Sequence, residues 1–299
     1  MEMRRGPRFL ALAICAGFTA LAFLDIGGFI VASQRGLLLF SNSVLPVLFP
    51  FFFITSLAVQ TGASSRGHVM AFSLLGGFPT SARMLAELYE EGKITRERAI
   101  HMSTLTSFPS PIFIVATVGA GLLGDVRIGI LAFVAIVIGA LLNGIIYYRR
   151  LPKFDKKPQD IVQSAKHTTQ DIGFSEAFSN ALHSSVQAIL LVGGLILIFF
   201  IVGSQLDSLL SLPPALDILL NSALEMTAGA YRLSALSVSL FVQLVLATAI
   251  LAFSGICIGL QGFLFFKKFG MSMRFYFLYK ATHTALSVGV SMILFVLFF

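Results

Sequence analysis

Charged residues and cysteines are scarce in this sequence. Only 12% of the 299 residues are charged and 57% are hydrophobic, a composition far too apolar for an ordinary soluble domain of this length. The two cysteines, Cys15 and Cys257, both lie in apolar segments. Neither a disulfide framework nor a thiolate metal site is therefore expected, and both cysteines are interpreted as packing residues.

Apolar runs long enough to span a bilayer recur from one end of the sequence to the other, for example at 9–31, 37–59, 128–148 and 189–203. The short segments of strict alternation that a transmembrane β-barrel needs are absent. The spanning segments must then be helices, which satisfy their own backbone hydrogen bonds. We predict an all-α, polytopic membrane protein.

The first segment has two interpretations. A basic start, an apolar run and Ala20-Leu21-Ala22 are together typical of a cleavable signal peptide. However, the apolar run continues to Val31 and is interrupted only by Asp25, which is longer than the core of a signal peptide. We favour an uncleaved transmembrane helix and interpret Asp25 as an interfacial residue.

The basic residues predict the topology. By the positive-inside rule, the Arg4–Arg8 cluster and the 149–166 loop lie in the cytoplasm, so the net charge of +7 does not indicate a nucleic-acid partner. We predict seven crossings, at about 9–32, 37–60, 95–123, 127–148, 185–206, 233–266 and 275–298. Two re-entrant hairpins, at about 62–93 and 208–231, enter from opposite sides. Four basic residues remain outside or within the membrane: Arg35, Arg127, Arg232 and Lys280.

A weak internal repeat has an offset of 147 residues. It aligns Thr80 with Thr227, Ser107 with Ser254, and Arg127 with Arg274. Chance similarity between two apolar stretches is the alternative, but the opposite entry of the two hairpins favours an inverted repeat, as in many secondary transporters. The predicted domains are an N-terminal transmembrane helix (1–33), a first repeat (34–150), a cytoplasmic linker (151–180) and a second repeat (181–299).

Both repeats contain glycine, proline and hydroxyl residues that interrupt their helices, at 76–81 and 107–111 in the first and at 225–229 and 253–255 in the second. Backbone groups freed at bilayer depth are tolerated only against protein or a wet cavity, so paired interruptions indicate a substrate site. Half-helix N-termini there can hold an anionic group. The candidate substrate-binding residues are Gly77, Pro79, Thr80, Ser81, Ser107, Ser110, Glu225, Thr227, Ser254 and Gly255. Each hydroxyl could instead only repair a broken helix.

Glu225 stands in an otherwise uncharged hairpin, where an ionised carboxylate is costly unless it is paired, hydrated or used. It is expected to bind hydroxyl or amine groups of a substrate, or to carry a coupling Na⁺ or proton. Lys280 and His283 share one face of the last helix and are candidates to pair with Glu225 or to meet an anionic substrate. Lys280 could equally extend to the membrane interface.

The charged stretch from Glu87 to Arg98 predicts a solvated helix-turn-helix tip, with Gly92 ending the first helix and Thr95 capping the second. The histidines lack metal-ligand spacing, and nucleotide-binding or hydrolase motifs are absent. No cofactor, no metal and no enzymatic activity are therefore expected.

Several motifs carry a family resemblance. The stretch from Gly76 to Arg83, with Pro79 inside it, the acidic tip that follows, and the Ala252-Phe253-Ser254-Gly255 segment followed by Gln261 resemble the YlbJ-like sporulation integral membrane proteins. The resemblance covers roughly 35–295. It implies membership of the Gate, or nucleoside-recognition, group and solute passage between two gate repeats. In sporulating bacteria it implies movement of a dipicolinate-like anion towards the forespore.

These observations favour a secondary transporter of a small polar or anionic solute, nucleoside-like or dipicolinate-like, in the bacterial inner membrane with a cytoplasmic N-terminus. The alternative is a non-transporting membrane scaffold or assembly factor, which has no need of matched helix breaks. The expected partners are the solute and the lipid bilayer. The sequence is compatible with an oligomer.

Overall fold

The computed structural model describes residues 5–61, 71, 76–150, 173–210 and 212–299. The described residues form helices and no strands, which confirms the all-α, polytopic prediction. Seven helices cover the first part of the chain: α1 (Arg5–Leu24), α2 (Ile26–Leu39), α3 (Leu45–Gln60), α4 (Thr80–Glu90), α5 (Arg96–Thr106), α6 (Ile112–Leu122, wound as a π-helix) and α7 (Val126–Arg150). Six follow: α8 (Phe174–Leu209), α9 (Pro214–Leu224), α10 (Met226–Ser234), α11 (Leu240–Phe253), α12 (Gly255–Phe266) and α13 (Met273–Phe298).

The long apolar helices make this a multi-pass membrane protein. Within the described ranges, four stretches are long and apolar enough to cross a bilayer: α7, α8, α13, and α11 with α12 taken together (Leu240–Phe269). The bent pair α1–α2 is a fifth if it counts as one span. The sequence analysis predicted about seven crossings. The difference arises because the predicted spans 37–60 and 95–123 consist of shorter helices, joined by a π-wound segment at Phe40–Val44 and by a break after Thr106.

The predicted first crossing, 9–32, is bent. Helices α1 and α2 meet at an angle of 109° at Asp25. The Asp25 carboxylate accepts a hydrogen bond of 2.8 Å from the backbone N–H of Gly28 and thereby caps α2. An aspartate that satisfies the free N–H groups of a new helix favours a helix start at its position over continuation of the previous helix.

The turns that follow α4 and α12 lie at the same end of the molecule. Gly92 adopts the left-handed conformation after α4, and the Thr95 hydroxyl caps α5, as predicted. Arg96 donates to the carbonyl of Phe269, and Lys268 forms an ion pair with Glu90. The turn after α4 therefore contacts the turn after α12, and their location in the cytoplasm stays a prediction of the positive-inside rule. The basic 151–172 loop lies outside the described residues.

The order of helices recurs along the chain. With an offset of 147 residues, the last residue of α5 (Thr106) corresponds to the last residue of α11 (Phe253), and the first residue of α7 (Val126) corresponds to the first residue of α13 (Met273). The start of α4 corresponds to the start of α10 to within one residue. This agreement supports the internal repeat, whereas the domain boundaries stay predictions. The start of the first hairpin, residues 62–70 and 72–75, lies outside the described residues.

Helices α7 and α13, equivalent in the two repeats, pack against each other. The His283 side chain lies 3.0 Å from the carbonyl oxygen of Ile136, its own equivalent at an offset of 147. Asn143 on α7 donates to the carbonyl of Tyr279 on α13. A contact between two equivalent positions lies on or near the axis that relates two repeats, so this helix pair lies where the two repeats meet.

Candidate functional site

In each repeat, the break in the hairpin contacts the break in the following helix. In the first repeat, the N–H of Phe78 donates to the carbonyl of Phe108 over 2.8 Å. The equivalent positions in the second repeat are Glu225 and Gly255, and a Cβ atom built on Gly255 would lie 3.2 Å from the nitrogen of Glu225. Both repeats therefore bring two helix interruptions together, and Glu225 takes the place of Phe78.

Glycine is required at both crossings. Gly77 and Gly255 have φ angles of +65° and +75°, in the left-handed region that favours glycine. A Cβ atom on Gly77 would lie 2.3 Å from the nitrogen of Ser110, closer than atoms can approach. These two predicted site residues thus allow the backbones to cross, and a side chain on either would separate the two breaks.

The Glu225 side chain is held at the start of α10. Its carboxylate accepts the N–H of Ala228 at 2.8 Å and the hydroxyl of Thr227 at 3.0 Å. This is the geometry of a helix N-cap, and the positive end of the helix dipole stabilises the carboxylate there. Glu225 is only 5% exposed, so the hairpin places an ordered acidic group inside the molecule.

A cavity of about 830 Å³ extends from Glu225 towards the end of the molecule that the charge distribution assigns to the outside. Its charged lining residues are Arg35, Asp207, Glu225 and Arg232. The volume falls in the range of pockets that hold small molecules. Arg232 is paired with Asp207 and with Asp217 (2.6 Å), whereas Arg35 makes no ion pair with any described residue.

A second, smaller cavity of about 100 Å³ lies on the other side of Glu225. It is lined by Pro79 and Ser110 from the breaks of the first repeat and by Glu225 and Thr227 from the second. Gln261 also lines it. Of the described residues, Leu39, Thr117, Glu225 and Thr227 line both cavities. Glu225 and Thr227 thus line two cavities, and each cavity is lined by residues of both repeats.

The remaining predicted site residues lie behind the cavity wall. The Ser81 hydroxyl donates to the carbonyl of Thr106, and Thr80 is fully buried beside Gly76. The Ser107 and Ser254 hydroxyls donate to carbonyls of the preceding turns of their own helices. The structure therefore brings Pro79, Ser110, Glu225 and Thr227 together around the cavities, while Gly77, Thr80, Ser81, Ser107, Ser254 and Gly255 shape the backbone beneath them. The role of these ten residues as substrate ligands stays a prediction.

Lys280 does not pair with Glu225 and does not extend to the interface. Its ammonium is buried, 2.9 Å from the carbonyl oxygen of Ser107 and 3.1 Å from the hydroxyl oxygen of Ser254. His283 contacts the α7 backbone instead. The sequence pattern placed both residues correctly on one helix face, but the partner of Lys280 depends on how the two breaks cross in space.

The sequence analysis missed the residues around the larger cavity. Arg35 and Arg232 were predicted only to lie outside or within the membrane, and Asp207 was not singled out. Asn221 donates to both Asp207 and Asp217 and so completes a network around Arg232. The signal was the placement of two aspartates and one arginine on either side of Glu225 in an otherwise apolar region.

Glu87 also differs from expectation. It was predicted to be part of the solvated tip, but it is half-buried and forms a 2.9 Å ion pair with Arg83 one turn earlier.

For metals, the described residues contain no group of three or more His, Cys, Asp or Glu side chains placed to hold an ion.

Comparison with known proteins supports the motif-based resemblance. The chain is 28% identical to the sporulation integral membrane protein YlbJ of Bacillus subtilis (strain 168), in an alignment that covers 77% of this chain and 68% of the relative. The chain is therefore similar to YlbJ over most of its length. No family model matches it, and no solved structure matches it. This similarity and the long apolar helices together make the chain a multi-pass integral membrane protein.

Proposed function

We propose that this YlbJ-like chain is a secondary transporter that carries a small polar or anionic solute, nucleoside-like or dipicolinate-like, between two gate repeats. The observation that carries the proposal is the position of Glu225 and Thr227 between the two cavities, at the crossing of the helix breaks. Broken helices that line a cavity near the middle of the membrane are the usual binding sites of secondary transporters.

The charges around the larger cavity support recognition of a solute with two kinds of polar group. Arg35 has no ion pair among the described residues, so it is free to meet an anionic group. The carboxylate of Glu225 can accept hydrogen bonds from a hydroxyl or amine of the solute, or carry a coupling proton or Na⁺. A solute that bridges these groups fits within the cavity volume.

The smaller cavity supports passage of the solute through the protein, and not only its binding at one site. Pro79 and Ser110 of the first repeat face Glu225 and Thr227 of the second across it. A small rearrangement of either hairpin would join this space with the larger cavity and carry the solute from one repeat's side to the other's. Such movement of one repeat against the other is the usual form of alternating access. The proposed location is the bacterial inner membrane, with the N-terminus in the cytoplasm.

Uptake by purified protein in proteoliposomes tests the proposal. Wild-type vesicles should accumulate a labelled nucleoside or a labelled aromatic dicarboxylate such as dipicolinate above protein-free vesicles. Glu225→Gln should lower the uptake of that solute by more than about tenfold, because it removes a charge-assisted hydrogen bond worth about 1.5–3 kcal/mol.

The matched control is Glu176→Gln, the same change at an exposed glutamate in the first turn of α8. It should transport like the wild type. Uptake by Glu225→Gln at the wild-type rate would remove Glu225 from the transport site. No uptake of either solute class by the wild type would favour a membrane scaffold instead.

A further inference from the structure

The ammonium of Lys280 occupies an unusual environment. The residue is 1% exposed, and no carboxylate among the described residues forms an ion pair with it. Its hydrogen-bond partners are the carbonyl oxygen of Ser107 and the hydroxyl oxygen of Ser254, both neutral. Carbonyl and hydroxyl oxygens are also the groups that coordinate monovalent cations in transporters, so the Lys280 nitrogen occupies a position that suits a cation.

Both oxygens lie where a broken helix ends. Ser107 follows the last residue of α5, and Ser254 follows the last residue of α11 in the left-handed conformation. The carbonyl groups at the end of a helix lack intrahelical partners and carry the negative end of the helix dipole. The two residues are equivalent at an offset of 147, and both contact the Lys280 nitrogen, Ser107 through its backbone carbonyl and Ser254 through its side-chain hydroxyl.

The hydroxyls around this point leave their oxygen lone pairs available. The Ser254 hydroxyl gives its proton to the carbonyl of Leu251, so its oxygen faces Lys280 as an acceptor. The Tyr279 hydroxyl donates to the Ser107 hydroxyl, which gives its own proton to the carbonyl of Ser103. Tyrosine and serine protons thus point away from the Lys280 nitrogen, as they do around a bound cation.

We propose that the Ser107 carbonyl and the Ser254 hydroxyl form a monovalent-cation site that the chain fills with its own Lys280 ammonium instead of a free ion. Unwound carbonyls and half-helix C-terminal ends are the groups that coordinate Na⁺ in ion-coupled transporters. Here the cation is covalently attached through α13, so it ties the breaks of the two repeats together permanently. Its consequence for transport, independence from Na⁺ at this site, rests on the proposed function.

Truncation of the lysine tests the site directly. Lys280→Ala removes three methylene groups and the ammonium group. The space that they leave has the size of one n-propylammonium ion. The purified variant, melted in choline chloride, should be less stable than the wild type. Addition of n-propylammonium at about 100 times its dissociation constant should raise its melting temperature on the order of 5 °C. Sodium chloride in place of choline chloride should also raise it.

Three controls distinguish the effect of the probe's charge from the effect of filling the space that the truncation leaves. n-Propanol, which has the same shape as the probe but no charge, should leave the melting temperature of Lys280→Ala unchanged. Lys280→Met fills the site with an uncharged chain and should respond to neither cation. Lys268→Ala, which removes a lysine from an exposed ion pair with Glu90, should behave like the wild type.

The proposal is overturned if Lys280→Ala shows no cation-specific shift, or if n-propanol stabilises it as much as n-propylammonium does. Should the variant not fold in choline chloride, folded yield on purification with either cation gives the same readout. Failure to fold in every buffer also contradicts the proposal, since a free cation should replace the lost ammonium. A wild-type protein without transport activity would sink the proposed function and leave these melting results untouched.

Discussion

At the residue scale, the Arg83 side chain connects three helices. Its guanidinium pairs with Glu87 on α4, donates to Ser184 and Ser185 on α8, and lies 5.0 Å above the ring of Phe52 on α3. Such a planar group satisfies several acceptors at once and stacks on an aromatic face, which lysine cannot reproduce. It therefore fixes the first turn of α4 to α3 and α8.

Arg83→Met should lower the free energy of unfolding by about 3–5 kcal/mol, because it leaves the half-buried Glu87 without its cation. Denaturant unfolding of the detergent-solubilised protein measures this. Lys268→Met removes an exposed ion pair and should cost less than about 1 kcal/mol. Equal losses in the two variants would show that Arg83 contributes no more than a surface charge.

Two charged residues inside the membrane could be predicted as special from the sequence. Glu225 and Lys280 stand in apolar segments, and the cost of burying a charge makes such positions functional candidates. Their partners could not be predicted, because the contacts of Lys280 come from residues 26 and 173 positions away. Sequence spacing on one helix determines the face of a side chain but not what packs opposite it.

At the scale of helices, α7 and α13 approach closely at Gly139. A Cβ atom there would lie 2.2 Å from the hydroxyl oxygen and 3.0 Å from the Cα atom of Ser287. Small residues of this kind allow helix backbones to pack in membranes. The close packing of α7 against α13 therefore requires glycine at position 139.

Gly139→Ala should lower the free energy of unfolding by about 1–3 kcal/mol, because the added methyl group forces the helices apart. Gly289→Ala on α13 is the matched control: nothing lies within 4 Å of its Cβ position, and alanine has the higher helix propensity. It should be neutral or stabilising by up to about 1 kcal/mol. Thermal unfolding of both variants checks this, and a Gly139→Ala protein as stable as the control would contradict the close packing.

The helix breaks could be located from sequence more accurately than the helices themselves. Glycine, proline and hydroxyl residues marked the interruptions at 107–111 and 253–255, and the structure ends α5 and α11 there. The bend at Asp25 and the π-wound α6 were not foreseen. An aspartate in an apolar run caps a new helix only where the chain turns, and hydropathy does not show where it turns. The π-winding depends on packing between helices, which hydropathy does not show either.

At the scale of the whole molecule, the proposed solute pathway runs through two cavities that residues of both repeats line. The larger cavity, the Glu225–Thr227 pair and the smaller cavity follow one another. The repeat itself could be detected from three matched pairs of residues, since the helix order of α4–α7 recurs in α10–α13. The cavity between the halves could not, because its walls include α2, α6 and α8, which are far apart in sequence.

The most direct test of this pathway is chemical labelling of Thr227→Cys in a background of Cys15→Ser and Cys257→Ala. A membrane-impermeant thiol reagent added from outside should label it through the larger cavity, and the transported solute should slow that labelling. Glu91→Cys at the opposite end should react only from the cytoplasmic side. Labelling of Thr227→Cys from neither side, or from outside at a rate that the solute does not change, would contradict a solute site at Glu225 and Thr227.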